Sequence, residues 1–347
     1  MGKNNYGIVY HQDYNKYDLG TSHPLIGNKP QKTMAFLKEK NLMEEIKLFT
    51  PDKATEEDLL SVHDLKYIER VKELSKEGGM LSFDTPAPAG IFEYASLATG
   101  GTILAGEKLF DGYQCMVNPL AGFHHASKEF SSGFCFFNDI AVVIEYLREK
   151  HKLKKFLVVD LDVHHANGTQ EIYYHDPTVL KVSFHQDGRT LYPGTGSMEK
   201  IGDGAGEGFT VNLPLPPGTG NTSFLKAFDE IVPKLTKQFA PEIIIYQSGV
   251  DTHHTDPLAD LNLTYPIYYQ LAKKMMALSS STCNKLLVLL GGGYNCSGSI
   301  QSYYNILCGL VSREDYIKEK DIPDTKIEEV EKLVSELKNI LHPYWKL

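Results

Sequence analysis

Short apolar runs alternate with longer segments whose apolar residues return every three or four positions. Strands are predicted at Cys115–Val117, Phe156–Val159, Val179–Ser183, Thr210–Leu213, Ile243–Tyr246 and Leu286–Leu290. Helices are predicted at Ile91–Phe110, Ile140–Lys150, Thr222–Phe239, Thr264–Leu278, Ile300–Leu310 and Ile327–Leu341. In the last of these, Val330, Leu333, Val334, Leu337 and Leu341 recur at helical spacing. The runs EIIIYQ and KLLVLL are apolar at consecutive positions, as in strands covered on both faces. This alternation predicts an α/β fold, a parallel sheet with helices on both sides. No repeat, low-complexity stretch or linker divides the chain, so residues 1–347 are expected to form a single domain. Residues 23–55 are Pro- and Lys-rich and read as surface loop with a short helix.

The polar residues of interest follow the apolar runs. In parallel α/β sheets, ligands bind outside the carboxyl ends of the strands. Phe156–Val159 runs into Asp160, Asp162, His164 and His165. Asp251 closes IIIYQSGVD, GGGY follows LLVLL, and His124-His125 follows MVNPLAGF. Four or five strand ends are thus expected to meet at one rim. Burying carboxylates and imidazoles there costs several kcal/mol, roughly, unless they are paired or hold a cation. In extended chain, residues two apart point the same way, so Asp162 and His164 can reach one point. Asp251 offers a third ligand from another strand. Two carboxylates and an imidazole suit a catalytic zinc with an open position, and also Fe(II). The competing reading makes Asp162 a helix cap and His164 a core histidine. Asp160 is placed behind them, accepting a hydrogen bond from a histidine ring. His124 or His125 offers a general base. Tyr294, aimed by the glycines before it, Gly292 included, offers an oxyanion donor.

The formal net charge of −9, without a long basic run, argues against direct nucleic-acid binding. No apolar stretch reaches the roughly 18 residues of a membrane span. The first residues lack the apolar core of a signal peptide, and Tyr6 spoils a myristoylation motif at Gly2. The five cysteines are scattered and odd in number, with no CxxC pair. They predict a reducing, cytoplasmic setting and no thiolate metal site.

Five stretches occur in order: GFHHASKEFSSGFCFFND, VVDLDVHHANGTQEIYY, YPGTG, GVDTHHTDPLADLNLT and LGGGYN. Together, over about residues 6–310, they resemble the zinc-dependent histone deacetylase family, with its bacterial deacetylase-like and acetylpolyamine amidohydrolase branches. The resemblance implies an arginase/deacetylase-type fold, a central parallel sheet of about eight strands flanked by helices. It implies a hydrolase that removes acyl groups, acetyl foremost, from lysine ε-amines of proteins or peptides. Asp162, His164 and Asp251 match the zinc ligands. His125 matches the general base and acid, and His124 its electrostatic partner held by Asp160. Tyr294 matches the residue that polarises the amide carbonyl with zinc. Gly133 matches the carbonyl that receives the amide N–H. Phe134 and Tyr192 match the tunnel walls, and Asp84 the rim carboxylate that holds the substrate backbone. Asp160, Asp162, His164, Ser183 and Phe184 match a structural potassium site.

Asn167 stands where class I members carry an Asp that pairs with the second His of the tandem, which makes HHANGTQ similar to class II and many bacterial members and implies an uncharged partner that leaves His125 less easily protonated. The histidine tandem follows AGF rather than the family's common Pro-Gly-His/Trp pattern. Polyamine-specific members carry Glu at the pocket mouth, where this chain has Leu258, which favours acyl-lysine over acylated small amines. An acetylpolyamine or other small-amide deacetylase is the enzymatic alternative, and an acyl-lysine-binding scaffold the non-enzymatic one. A compact chain without tails suggests a bacterial enzyme. His253 and His254 are read as solvated loop residues near the rim. The acyl chain, the substrate's identity and the oligomeric state stay open.

Overall fold

The computed structural model describes residues 5–25 and 27–347, so Gly2 lies outside them. Ten strands follow in chain order: β1 (Tyr6–Val9), β2 (Lys47–Phe49), β3 (Gly79–Met80), β4 (Pro86–Ala87), β5 (Cys115–Asn118), β6 (Phe156–Asp160), β7 (Val179–Gln186), β8 (Thr210–Leu215), β9 (Ile243–Gln247) and β10 (Leu286–Leu289). The helices are α1 (Lys29–Glu39), α2 (Glu56–Leu60), α3 (Leu65–Glu77), α4 (Ile91–Lys108), α5 (Asp139–His151), α6 (Asn167–Ile172), α7 (Asn221–Phe239), α8 (Tyr265–Ser281), α9 (Cys296–Val311) and α10 (Ile327–Leu341). Eight strands form one sheet in the order β2-β1-β5-β10-β9-β6-β7-β8, and every pairing in it is parallel. The remaining two, β3 and β4, make a small antiparallel ladder.

The strands are apolar at consecutive positions because each face of the sheet has its own core. Leu157, Val159, Ile244, Tyr246, Leu286 and Val288 join one apolar cluster with residues of α7 to α10. Phe156, Val158, Ile243, Ile245, Leu287 and Leu289 join the other, with residues of α3 to α5. Strand alternation sends neighbours to opposite faces, so both sets must be apolar. No helix among the described residues is long and apolar enough to cross a membrane.

All six predicted strands and six predicted helices are present, with ends moved by a few residues. The helix predicted from Ile300 begins at Cys296, where Asn295 caps it by accepting the Gly298 N–H. Residues 23–55 carry the expected short helix, α1, which buries Pro30, Thr33 and Leu37, and correct the loop reading with the strand β2. β1 and β2 were not foreseen, for a physical reason. β2 is a three-residue edge strand with Lys47 and Leu48 exposed, so it has no apolar signature and exists through its pairing with β1.

Candidate metal centre and its catalytic groups

Strand order builds the crevice. The chain leaves β5, crosses through α5, and returns at β6, with β10 and β9 later filling the gap between them. The four central strands β5, β10, β9 and β6 are neighbours, and their carboxyl ends deliver His124–His125, Gly292–Tyr294, Asp251 and Asp162–His164 to one place. This is the switch-point geometry of ligand sites in open α/β sheets.

Asp162, His164 and Asp251 are buried, and one ligand atom from each lies within 4.8 Å of the others. His164 Nδ1 is 3.1 Å from Asp162 Oδ1 and 3.1 Å from Asp251 Oδ2. Donors about 2.0–2.1 Å from a tetrahedral zinc stand roughly 3.3 Å apart, so the spacing fits such an ion. The other carboxylate oxygens are anchored. Asp162 Oδ2 accepts from Gln247 Nε2 and from the Gly292 N–H, each at 3.0 Å. Asp251 Oδ1 accepts the Val163 N–H at 3.0 Å. Electrostatics also call for a cation. Burial and the charge of Asp162 push Asp251 up to about 7. Burial resists charge on His164, but Asp162 and Asp251 override it and push the imidazole up to about 10. Asp162 and His164, expected on extended chain, lie instead beyond it: β6 ends at Asp160, and residues 162–164 form a bend in which Asp162 Oδ1 accepts the His164 N–H at 3.0 Å.

Space at this centre depends on glycine. A Cβ on Gly292 would collide with Asp251 Oδ2 and crowd Asp162 Oδ2. Gly292→Ala is expected to weaken metal binding by about 10–100-fold, the usual cost of disturbing a ligand's support. Titration of the metal-free variant checks this, with the thermal midpoint as the folding control.

His124 Nδ1 lies 2.8 Å from Asp160 Oδ2, and His125 Nδ1 lies 2.6 Å from Asn167 Oδ1. Since Asn167 Oδ1 is an acceptor, His125 carries its proton on Nδ1 and keeps a lone pair on Nε2. Burial opposes charge on His124, but Asp160 and Asp162 push it up to about 9. Burial, then the charges of His124 and His164, hold His125 well below 6.5. His125 is therefore a neutral base at neutral pH. Asn167→Asp would stabilise its protonated form and raise its pKa by roughly one unit or more. A base works only unprotonated, so the acid limb of kcat/KM is expected to move to higher pH. An unmoved limb in a pH–rate profile would refute this tuning.

A cavity of about 210 Å³ opens onto these groups, lined by His125, Gly133, Phe134, His164, Leu191, Tyr192, Leu258 and Tyr294. Tyr192 packs edge-on against His125, with ring centres 5.2 Å apart, and Phe134 against Tyr294 at 5.7 Å. Gly133 has φ +54°, and a Cβ there would collide with His125. Phe134 also has positive φ, +68°, a strained value for an aromatic residue. It is held by Tyr17 Oη donating to its carbonyl at 2.7 Å and by its own N–H donating to Thr85 Oγ1 at 3.1 Å. Asp84 spends both oxygens within the chain: Oδ2 accepts the Gly133 N–H at 3.0 Å, and Oδ1 accepts the Ser82 and Thr85 hydroxyls at 2.7 and 2.9 Å. Burial, then the charges of Asp251 and Asp162, hold the Tyr294 phenol well above its usual range, so it remains a donor.

Behind β6, Asp160 is in register with Ser183 of β7. The Ser183 hydroxyl pairs with His185 Nδ1 at 2.9 Å, and Phe184 is fully buried. His165 is set apart from the metal donors, paired with Thr195 Oγ1 and Gln170 Oε1 at 2.8 and 3.0 Å. The solvated reading of His253 is overturned: its side chain is only 2 % exposed and faces Glu319. The ring is covered by Tyr265, whose centre is 4.3 Å away.

Sequence reading missed three supports. Gln247 holds Asp162, as described above. Asp256 Oδ2 accepts the Tyr294 N–H at 2.7 Å. Lys29 Nζ donates to the Gly291 and Gly293 carbonyls at 3.3 and 3.0 Å, bracing the GGGY turn from α1. Asp256 stands inside a quoted motif, GVDTHHTDPL, and was findable there, whereas no local pattern marks Lys29.

Residues 23–310 match the histone deacetylase domain. A "Probable deacetylase" of Archaeoglobus fulgidus is 35% identical over 98% of this chain and 98% of its own length. The acetoin utilization protein AcuC of Bacillus subtilis is 35% identical over 83% of this chain and 77% of its own. Among solved structures, the HDA15 HD domain superposes with a TM-score of 0.87 at 26% identity, covering 98% of this chain and 95% of that one. With a matching domain over most of its length, an eight-stranded arginase/deacetylase fold and relatives of this likeness, the chain belongs to the histone deacetylase family of hydrolases.

Proposed function

We propose that the chain is a zinc-dependent lysine deacylase, acting on acyl-lysine in proteins or peptides. The observation that carries this reading is the Asp162–His164–Asp251 donor cluster, with 3.1 Å spacings about His164, which lines a cavity together with His125 and Tyr294. A divalent metal held by these three side chains would acidify water and polarise the amide carbonyl. His125 Nε2 takes the proton of the attacking water and then delivers it to the leaving lysine amine. Tyr294 donates its phenolic hydrogen to the developing oxyanion. Phe134 and Tyr192 enclose the apolar part of the acyl-lysine chain and exclude water. The Gly133 carbonyl receives the amide N–H, and Asp84 holds the substrate backbone at the rim.

Among the described residues no carboxylate lines the cavity, and Leu258 is part of its lining, which supports a neutral acyl-lysine over a polycationic amine. A potassium ion beside Asp160 and Ser183 would draw on backbone carbonyls of Asp160, Asp162, His164, Ser183 and Phe184. We also infer a reducing, cytoplasmic setting, supported by five cysteines that are all unpaired.

The test is acetate release from an acetyl-lysine peptide and from acetylspermidine, each with and without chelator. Chelator-sensitive release that favours the peptide is expected. Inertness toward both substrates with zinc bound would sink the proposal.

A further inference from the structure

We propose a second metal site, formed by His253, His254 and Glu319, for a first-row transition-metal dication. His253 Nε2 lies 3.1 Å from Glu319 Oε2, and His254 Nε2 lies 2.8 Å from Glu319 Oε1. All three residues bring a ligand atom within 4.8 Å of the others. The two imidazole nitrogens face different oxygens of one carboxylate, so an ion drawn between them would engage both Glu319 oxygens, with donors at roughly 2.0–2.2 Å.

The site is preorganised. His253 stacks on Tyr265 at 4.3 Å with 23° between the planes. Its Nδ1 is held by Thr255, 2.9 Å from Oγ1 and accepting the Thr255 N–H at 3.3 Å, which fixes the ring with Nε2 aimed at Glu319. Glu319 Oε2 also accepts the Tyr265 N–H, at 3.0 Å. His253 is closed off at 2 % exposure, whereas His254 and Glu319 are 26 % and 24 % exposed. The open side supplies an entry path and room for water to complete the coordination.

Two imidazoles and one carboxylate suit zinc, iron(II), cobalt or nickel rather than calcium or magnesium, which prefer all-oxygen shells. An ion here would clip two pieces of chain together, the loop after Asp251 and the irregular segment between α9 and α10, and Glu319 also holds the start of α8 through the Tyr265 N–H. Its donors are separate from those of the catalytic centre.

The experiment counts zinc retained after metal-free protein is reloaded and gel-filtered. It compares wild type, His164→Ala, Glu319→Gln and the double variant, with His254→Ala as a second probe. Expected values are two equivalents, one, one and none, with one for His254→Ala. The equivalent that each single variant retains shows that it is folded. Glu319→Gln keeps an acceptor for hydrogen bonds but loses the anionic ligand. Two equivalents in that variant, or one in wild type with none in His164→Ala, would overturn the second site. One equivalent in His164→Ala with none in Glu319→Gln would uphold it and refute the catalytic centre instead.

Discussion

His125→Ala is expected to lower kcat on an acetyl-lysine peptide by about 10²–10⁴, toward the upper end of what one acid–base group contributes. The reason is that one imidazole serves two proton transfers. The 2.6 Å contact with Asn167 Oδ1 fixes the tautomer and leaves Nε2 as the base. Burial and the charges of His124 and His164 keep that nitrogen unprotonated at neutral pH. Once protonated, the ring becomes a strong acid for the same reasons, which suits the second transfer to the amine. His125 is not among the three metal donors, so zinc content is expected to stay at the wild-type level. A variant within tenfold of wild-type kcat would show that another group moves the protons.

Tyr294→Phe is expected to lower kcat by about 10²–10³, or about 2.7–4 kcal/mol, with little change in KM. The substitution removes one oxygen and keeps the ring that packs against Phe134. Asp256 holds the Tyr294 backbone N–H, and Lys29 braces the flanking glycine carbonyls, so the phenylalanine ring is expected to keep its place. The hydroxyl acts on charge that exists only in the transition state, so its loss falls on kcat. The check is steady-state kinetics beside the wild type at matched zinc content. A rise in KM with kcat preserved would make Tyr294 a binding residue.

Much of the arrangement was legible because it is written in local pattern. The doubly apolar strands β6, β9 and β10 announced a covered sheet, with Asp160 closing β6 and Asp162, Asp251 and Tyr294 past the strand ends. Asn167 was readable as the partner of His125 only through the resemblance, and the structure places the two in contact. The first 60 residues were least legible. β1 and β2 are four and three residues long, too short for a period to show.

The sequence by itself determined which side chains are present, the parallel α/β class, and the order in which the strand ends carry their chemistry. These follow from hydrophobic period and from polar residues interrupting apolar runs, both local properties. Only the tertiary structure decided that β10 and β9 come between β5 and β6, which brings residues about 40 to 170 positions from His125 into one crevice. It also decided that Asp162 and His164 converge through a bend, that Lys29 reaches the GGGY turn from α1, and that His253 and His254 share Glu319. Such contacts arise from strand order and chain crossing, which have no local signature in the order of the residues.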